Sequence, residues 1–204
     1  MVKAFMKKFE PSIEIFKENY NSLRMYEAVK KGVPRHFIYK MVSAGILSRE
    51  ERGLYRLAEA EPLANPDLVN ISLLVPKAVI CLISALYFYN LTTQVPHVVW
   101  IALPRHIRTP RIVYPPIEVI RLAPKPYQAG IEEQFLDGIK VRIYSPEKTI
   151  ADCFKFRNKI GRGVAIEALK DYMRRSHGKI AKLIDFARVN RVENVIRPYL
   201  EALG

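Results

Sequence analysis

Six polar side chains within one short stretch have the types and spacing for recognition chemistry. The stretch is Val33 to Leu57, VPRHFIYKMVSAGILSREERGLYRL. On a helical period, Arg35, His36, Tyr39 and Lys40 share mostly one face, while Ile38, Met41 and Val42 share the other. Such a polar face presents donors and positive charge, which suit base edges and phosphates in a DNA groove. Arg49 and Arg52 follow in a polar turn, at the right remove to touch a neighbouring phosphate backbone. The plainer reading of the same residues is a cationic amphipathic helix that only solvates a domain.

The elements that must position these side chains favour recognition. Pro11 or Ser12 opens a first helix with Ile13, Ile15 or Phe16, and Tyr20 facing inward. Ser22 caps a second helix over 23–30, in which Tyr26 and Val29 face the core, and Gly32 ends it. Pro34 then starts the third helix and Gly45 stops it. Ile46-Leu47 begins a strand, 49–53 forms a polar turn, and 54–57 forms a second strand of alternating character. Helix, short turn, helix and charged hairpin together read as a winged helix-turn-helix over residues 1–60.

Glu59 to Pro66, EAEPLANP, is polar and twice interrupted by proline, which marks a domain junction. The second domain spans 67–204. Residues 67–74 form a short helix or a strand; the period does not separate the two. A helix is expected over 76–89 and strands over 98–103, 117–122, 130–136 and 139–144, with Asp137-Gly138 as a tight hairpin turn. Ser145-Pro146-Glu147 starts a helix carrying Ile150, Cys153 and Phe154 inward. Three more helices follow, near 163–175, 179–189 and 192–203. The expected class is α+β: an N-terminal winged helix-turn-helix, then a mixed sheet-and-helix domain closing in a helical C-terminal tail.

The chain has 204 residues, half of them hydrophobic, enough for a sizeable core without metal or disulfide staples. Its 33 basic and 20 acidic residues give a net charge of +13, which favours an anionic partner, nucleic acid before a membrane surface. Cys81 and Cys153 sit in apolar helical settings and read as reduced core residues. The N-terminus, MVKAFMKKFEPSIEIF, carries charges throughout and no small-residue cleavage site, so no secretory signal is expected. The most apolar run, Ala78 to Tyr89, is too short to span a bilayer. A cytoplasmic protein is expected.

Covalent and metal chemistry find little support. His36, His97, His106 and His177 are scattered, with no Ser or Cys in catalytic order. No CxxC suggests zinc. A metal-dependent nuclease needs an Asp followed by an acid-x-Lys strand. Pro66-Asp67 offers a start, but Asp137-Gly138-Ile139-Lys140 is one residue too long and lies on a turn. Gly161-Arg162-Gly163 lacks the Lys-Ser or Lys-Thr of a phosphate loop. No catalytic residue, metal or cofactor is assigned, and the chain reads as a non-enzyme.

Two stretches together carry a family resemblance: GVPRHFIYKMVSAGILSREERGLYRL, and IYSPEKTIADCFKFRNKIGRGVAIEALKDYMRR with its Ser-Pro-Glu-Lys-Thr helix start. Their order and separation resemble the AbiEi-type antitoxins, the transcriptional regulators of type IV toxin–antitoxin (abortive infection) systems. The resemblance implies a winged helix that binds double-stranded operator repeats and represses its own operon. It also implies a C-terminal antitoxin domain that counters a genetically linked nucleotidyltransferase toxin without a stable complex. By position, Arg35, His36, Tyr39 and Lys40 match the exposed places of the recognition helix, and Arg49 and Arg52 match the wing. Ser145, Pro146, Asp152 and Arg157 match the second motif. Pro34-Arg35-His36 departs from relatives that carry more polar and cationic residues there, which bears on the operator read. The cluster Lys155, Arg157, Lys159 and Arg162 is open to three readings: a second nucleic-acid patch, the site that counters the toxin, or a solvated helix end favoured by its dipole. Two other functions stay open, a nucleic-acid-processing enzyme targeted by the winged helix and an RNA-binding protein.

Overall fold

The computed structural model describes residues 7–176 and 179–203; His177 therefore lies outside the described residues, as do the first six residues of the N-terminal segment. The fold is α+β. It divides into two compact units. The N-terminal unit holds residues up to Pro76 together with Arg111–Pro115 and Phe135–Lys140. The C-terminal unit holds Lys77–Pro110, Pro116–Gln134 and the chain from Val141 onward.

In the N-terminal unit the helices are α1 (Glu10–Lys17), α2 (Met25–Lys30), α3 (Arg35–Ser43) and α4 (Pro66–Leu74). Strands β1 (Ser22–Arg24), β2 (Leu47–Glu51) and β3 (Leu54–Leu57) form an antiparallel sheet in the order β1-β3-β2. Phe9, Phe16, Leu23, Ala28, Val33, Ile38, Met41 and Leu47 close one core beneath it. Pro34 sits one residue before α3 with extended backbone, and its carbonyl accepts from the N–H groups of Phe37 and Ile38. Gly53, at φ 81°, supplies the left-handed residue of the Arg52-Gly53 turn.

Several expectations change here. Residues 22–24 are a strand, not the start of a helix. Central strand β3 needs a partner on its open edge, and Ser22, Leu23 and Arg24 pair with Arg56, Tyr55 and Leu54. In α2, Tyr26 is 73% exposed and Ala28 is the buried residue, so the face carrying Ala28 packs inward. Val29 and Tyr20 are exposed as well. β3 does not alternate: Leu54, Tyr55, Arg56 and Leu57 are all buried, because α1 and α4 both pack on it. α4 thus belongs to the first unit, and the division falls at Pro76 where the sequence suggested 59–66.

The C-terminal unit is built on a mixed five-stranded sheet of order β6-β5-β4-β8-β7, made by β4 (Val79–Ile80), β5 (Val99–Pro104), β6 (Ile117–Leu122), β7 (Ile131–Leu136) and β8 (Ile139–Tyr144), except that the hairpin end of β7 and β8, Phe135–Lys140, is counted with the N-terminal unit. β4 runs antiparallel to β5 and parallel to β8, and β5 runs parallel to β6. Its helices are α5 (Leu82–Phe88), α6 (Pro124–Gln128), α7 (Pro146–Lys155), α8 (Arg157–Ile160), α9 (Arg162–Ser176), α10 (Ile180–Asn190) and α11 (Glu193–Glu201). The single helix expected over 76–89 is instead strand β4 followed by α5. An unbroken apolar run carries no period that separates the two, and the sheet takes Val79 and Ile80 as a buried central strand. α6 was not anticipated.

α7 is the hub of this unit: α5, α9, α10 and α11 all pack on it. Ser145 caps it, its hydroxyl accepting from the N–H of Lys148 at 3.3 Å. Gly130 lets the chain pass close by, since a Cβ there would lie 2.6 Å from Lys148 Cβ and 2.9 Å from Phe186 Cζ. Its φ of 72° adds a left-handed backbone. Among the described residues no helix is long and apolar enough to cross a membrane.

Two glycine substitutions separate these effects. Gly53→Ala has open space around its new methyl, so only the left-handed strain of about 1 kcal/mol is expected. Gly130→Ala adds a collision with a fully buried side chain and should cost clearly more. Urea unfolding of the two variants checks the order; equal losses would contradict the close approach at Gly130.

Candidate functional site

The N-terminal unit gathers the expected recognition residues on α3 and the β2–β3 hairpin. Ile38 and Met41 are fully buried, which fixes the helix face, so Arg35, His36, Tyr39 and Lys40 are all exposed, Tyr39 by 56%. The His36 ring stands edge-on to Phe37 at 4.7 Å, and Phe37 stands edge-on to Phe9 at 5.2 Å, tying the start of α3 to the core. Lys8 Nζ lies 5.5 Å from the Phe37 ring centre. The first turn of α3 holds no acid, so its N–H groups and the two basic side chains favour an anion together.

The hairpin keeps its cations available by holding its acids elsewhere. Glu50 accepts the Ser48 hydroxyl at 2.6 Å. Glu51 accepts the backbone N–H groups of Arg52 at 2.6 Å and Tyr114 at 2.7 Å, and these two bonds hold its carboxyl below the usual range. Arg49 and Arg52 are exposed, and among the described residues neither they nor Arg35 and Lys40 form an ion pair. A bulge between Arg49 and Glu51 bends the strand that carries them.

The second expected cluster is spread out. Lys159 pairs with Glu118 at 2.8 Å and lies over the Trp100 ring at 4.9 Å. Arg157 Nη1 donates to the Phe154 carbonyl at 2.8 Å. Lys155 is half-buried and Arg162 is exposed. The Lys155 ammonium sits below its ordinary value, mainly through burial; Asp152 opposes this, while Lys148, Arg105 and Arg191 add to it by repulsion. Lys155 therefore shares its electrostatic surroundings with Arg105 and Arg191, which sequence reading did not single out. Arg121 orders the loop that bears Arg105: its guanidinium donates to the carbonyls of Pro104 and Ile107 and to Thr109 Oγ1. A signal was present, since no acidic residue occurs between Asp67 and Glu118.

The Ser-Pro-Glu-Lys-Thr motif acquires a physical role. Lys148 is fully buried, and its Nζ lies 2.6 and 2.5 Å from the two Asp152 oxygens. Asn190 Nδ2 donates to Asp152 Oδ1 at 2.7 Å, and the Lys148 ammonium stands 4.2 Å from the Tyr144 ring centre. Glu147, also buried, accepts from Tyr172 at 3.0 Å and pairs with Lys182 at 3.2 Å. Lys148 and Glu147 were missed as structural polar residues; the available signal was the i, i+4 Lys–Asp spacing within the helix. Asp152 is thus committed to Lys148 and Asn190, and exposed Asp137 accepts the N–H of Ala64 at 3.2 Å. Cys81 and Cys153 are free and buried, and burial pushes both thiols up. Among the described residues no group of three or more His, Cys, Asp or Glu is arranged to hold a metal ion. Compared with protein-family models and with curated proteins, the chain matches none.

Burial raises the Asp152 carboxyl above its ordinary 3.8, against the pull of Lys148 and Asn190. The folded chain then holds that proton more tightly than the unfolded chain, so this group favours folding at low pH and its contribution fades as pH rises. At neutral pH the burial of the ionised carboxylate is therefore a cost that Lys148 and Asn190 offset in part, and breaking the pair is costly. Lys148→Met should lose about 3–5 kcal/mol by leaving a buried carboxylate alone. Adding Asp152→Leu should recover most of that loss. Denaturant unfolding of both variants at neutral pH checks it, and a double variant as unstable as the single would contradict the account.

Proposed function

We propose that this chain is a sequence-specific, double-stranded DNA-binding repressor whose N-terminal unit works as a winged helix-turn-helix. The observation that carries the reading is the exposed row Arg35, His36, Tyr39 and Lys40 on α3, whose Arg35 and Lys40 form no ion pair among the described residues, backed by fully buried Ile38 and Met41. α2 ends at Lys30 and α3 begins at Arg35, a short connection of the kind that lays a second helix across a major groove. The hairpin with exposed Arg49 and Arg52 takes the part of the wing, meeting phosphates beside that groove.

Within this reading, the resemblance to AbiEi-type antitoxins supplies the biological role. The protein represses its own operon and counters a nucleotidyltransferase toxin, acting in the cytoplasm without cofactor or catalysis. The toxin-countering surface would draw on Arg162 and on Lys155 with its neighbours Arg105 and Arg191, since Lys159 and Arg157 are engaged internally. The competing nuclease reading is weakened by Asp152, whose carboxylate is buried against Lys148 and closed to a metal ion.

The test is binding to the protein's own promoter at several salt concentrations. Arg35→Ala should cost roughly 1–3 kcal/mol and relax specificity at one base pair, as loss of a guanine contact does. Arg52→Ala should weaken all sequences alike and reduce the salt slope by about one unit. Parental binding by both variants would overturn the DNA-reading assignment.

A further inference from the structure

The N-terminal unit holds a second feature, away from the polar face of α3. A groove of about 610 Å³ is lined by residues that all belong to this unit, among them Tyr20, Lys30, Lys31, Phe135, Gly138 and Lys140. Two aromatic rings stand open in it, Tyr20 at 55% exposure and Phe135 at 66%. The three lysines are exposed along it. Its one acid, Glu27, is turned to the start of α2, where it accepts the Arg24 N–H at 3.4 Å.

The backbone is shaped to present Tyr20. Tyr20 and Asn21 take φ of 55° and 62°, two consecutive left-handed residues with no glycine between them. Asn tolerates that region; Tyr does so at a steric cost. The cost sets the tyrosine ring against Gly138, where a Cβ would overlap the ring atoms. Gly138 is thus the residue that lets an aromatic side chain lie flat beside the hairpin turn while the rest of its surface stays in the groove.

We propose that this groove binds a mononucleotide. Its volume lies within the ~300–1,000 Å³ of small-ligand sites. Open Tyr and Phe rings stack on any planar base. Lysines beside them take the phosphate as point charges. An uncharged aromatic molecule would leave Lys30 and Lys31 unused, and inorganic phosphate would leave both rings unused. The proposal does not rest on DNA reading, because none of the six candidate DNA-contacting residues lines the groove.

The test uses the full chain in calorimetric titrations with AMP, adenosine, inorganic phosphate and a single-stranded oligo(dA). AMP is expected to saturate one site, with adenosine and phosphate each weaker by at least about tenfold. Lys30→Ala with Lys31→Ala should weaken AMP by about tenfold or more. Tyr20→Asn, which keeps a residue tolerant of the left-handed backbone, should do the same, with circular dichroism and thermal melts like the parent's. Phe135→Ser, at a largely exposed position, stands in for Tyr20→Asn if that variant misfolds. No binding of AMP, equal binding of phosphate alone, or binding of oligo(dA) without AMP overturns the proposal. So does parental AMP affinity in either the lysine variant or the aromatic one.

Discussion

A lysine and an aspartate that never meet solvent organise the C-terminal unit. Lys148 and Asp152 lie one turn apart on α7 and satisfy each other at 2.5–2.6 Å. Two opposite charges in a low-dielectric interior tolerate little displacement, because each loses its countercharge when the other moves. Asn190 brings α10 into the same arrangement by donating to Asp152, and Tyr144 brings in β8 through its ring face. Gly130 completes the geometry by allowing the segment before β7 to pass the lysine stem without a methyl in the way. The pair therefore fixes α7 against α10 and against the end of β8. Apolar packing alone would hold these elements with less defined register.

The N-terminal unit solves the opposite problem in its hairpin, keeping Arg49 and Arg52 out of ion pairs among the described residues. Its core is apolar, from Phe9 and Phe16 through Ile38 and Met41 to Leu47. Three of its carboxylates are held by hydroxyl and backbone donors: Glu50 by Ser48, Glu51 by the N–H groups of Arg52 and Tyr114, and Glu27 by the Arg24 N–H. A carboxylate satisfied by backbone amides has less to gain from a nearby guanidinium. Arg49 and Arg52 are left without an ion pair among the described residues by this arrangement, although two glutamates lie between them in sequence.

How much of this was legible beforehand follows from which physical signals are local. α3, its buried Ile38 and Met41 and its exposed Arg35 and Lys40 were readable because a helical period exposes one face and buries the other. The β7–β8 hairpin was readable because Asp137-Gly138 is turn chemistry, and both residues do take positive φ. β1 was not readable, since three residues become a strand only by pairing with β3. β4 was hidden in an apolar run for the same reason. The exposure of Tyr26 was not readable either, because in a helix of six residues the face that turns inward is set by the core it packs on and not by a long apolar period. The basic cluster after α7 looked uniform in sequence, yet Lys159 is drawn to Glu118 and Lys155 is half-buried beside Arg105 and Arg191. Those partners are distant in the chain, and no local pattern encodes them.

The contrast between the two basic regions decides which is better suited to bind a polyanion through the residues first singled out. A cation contributes to phosphate binding by releasing condensed counterions, and one already paired to a carboxylate must first give up that partner. Lys159 would have to leave Glu118 and the Trp100 ring, and Arg157 would have to leave the Phe154 carbonyl. Arg35, Lys40, Arg49 and Arg52 have no ion pair to break among the described residues. They also sit on elements anchored by buried side chains, so little side-chain and backbone order remains to be imposed on contact. Charge count alone would rank the two stretches as equals. Prior commitment of each cation separates them, and it leaves α3 with its hairpin as the better suited of the two surfaces for a polyanion.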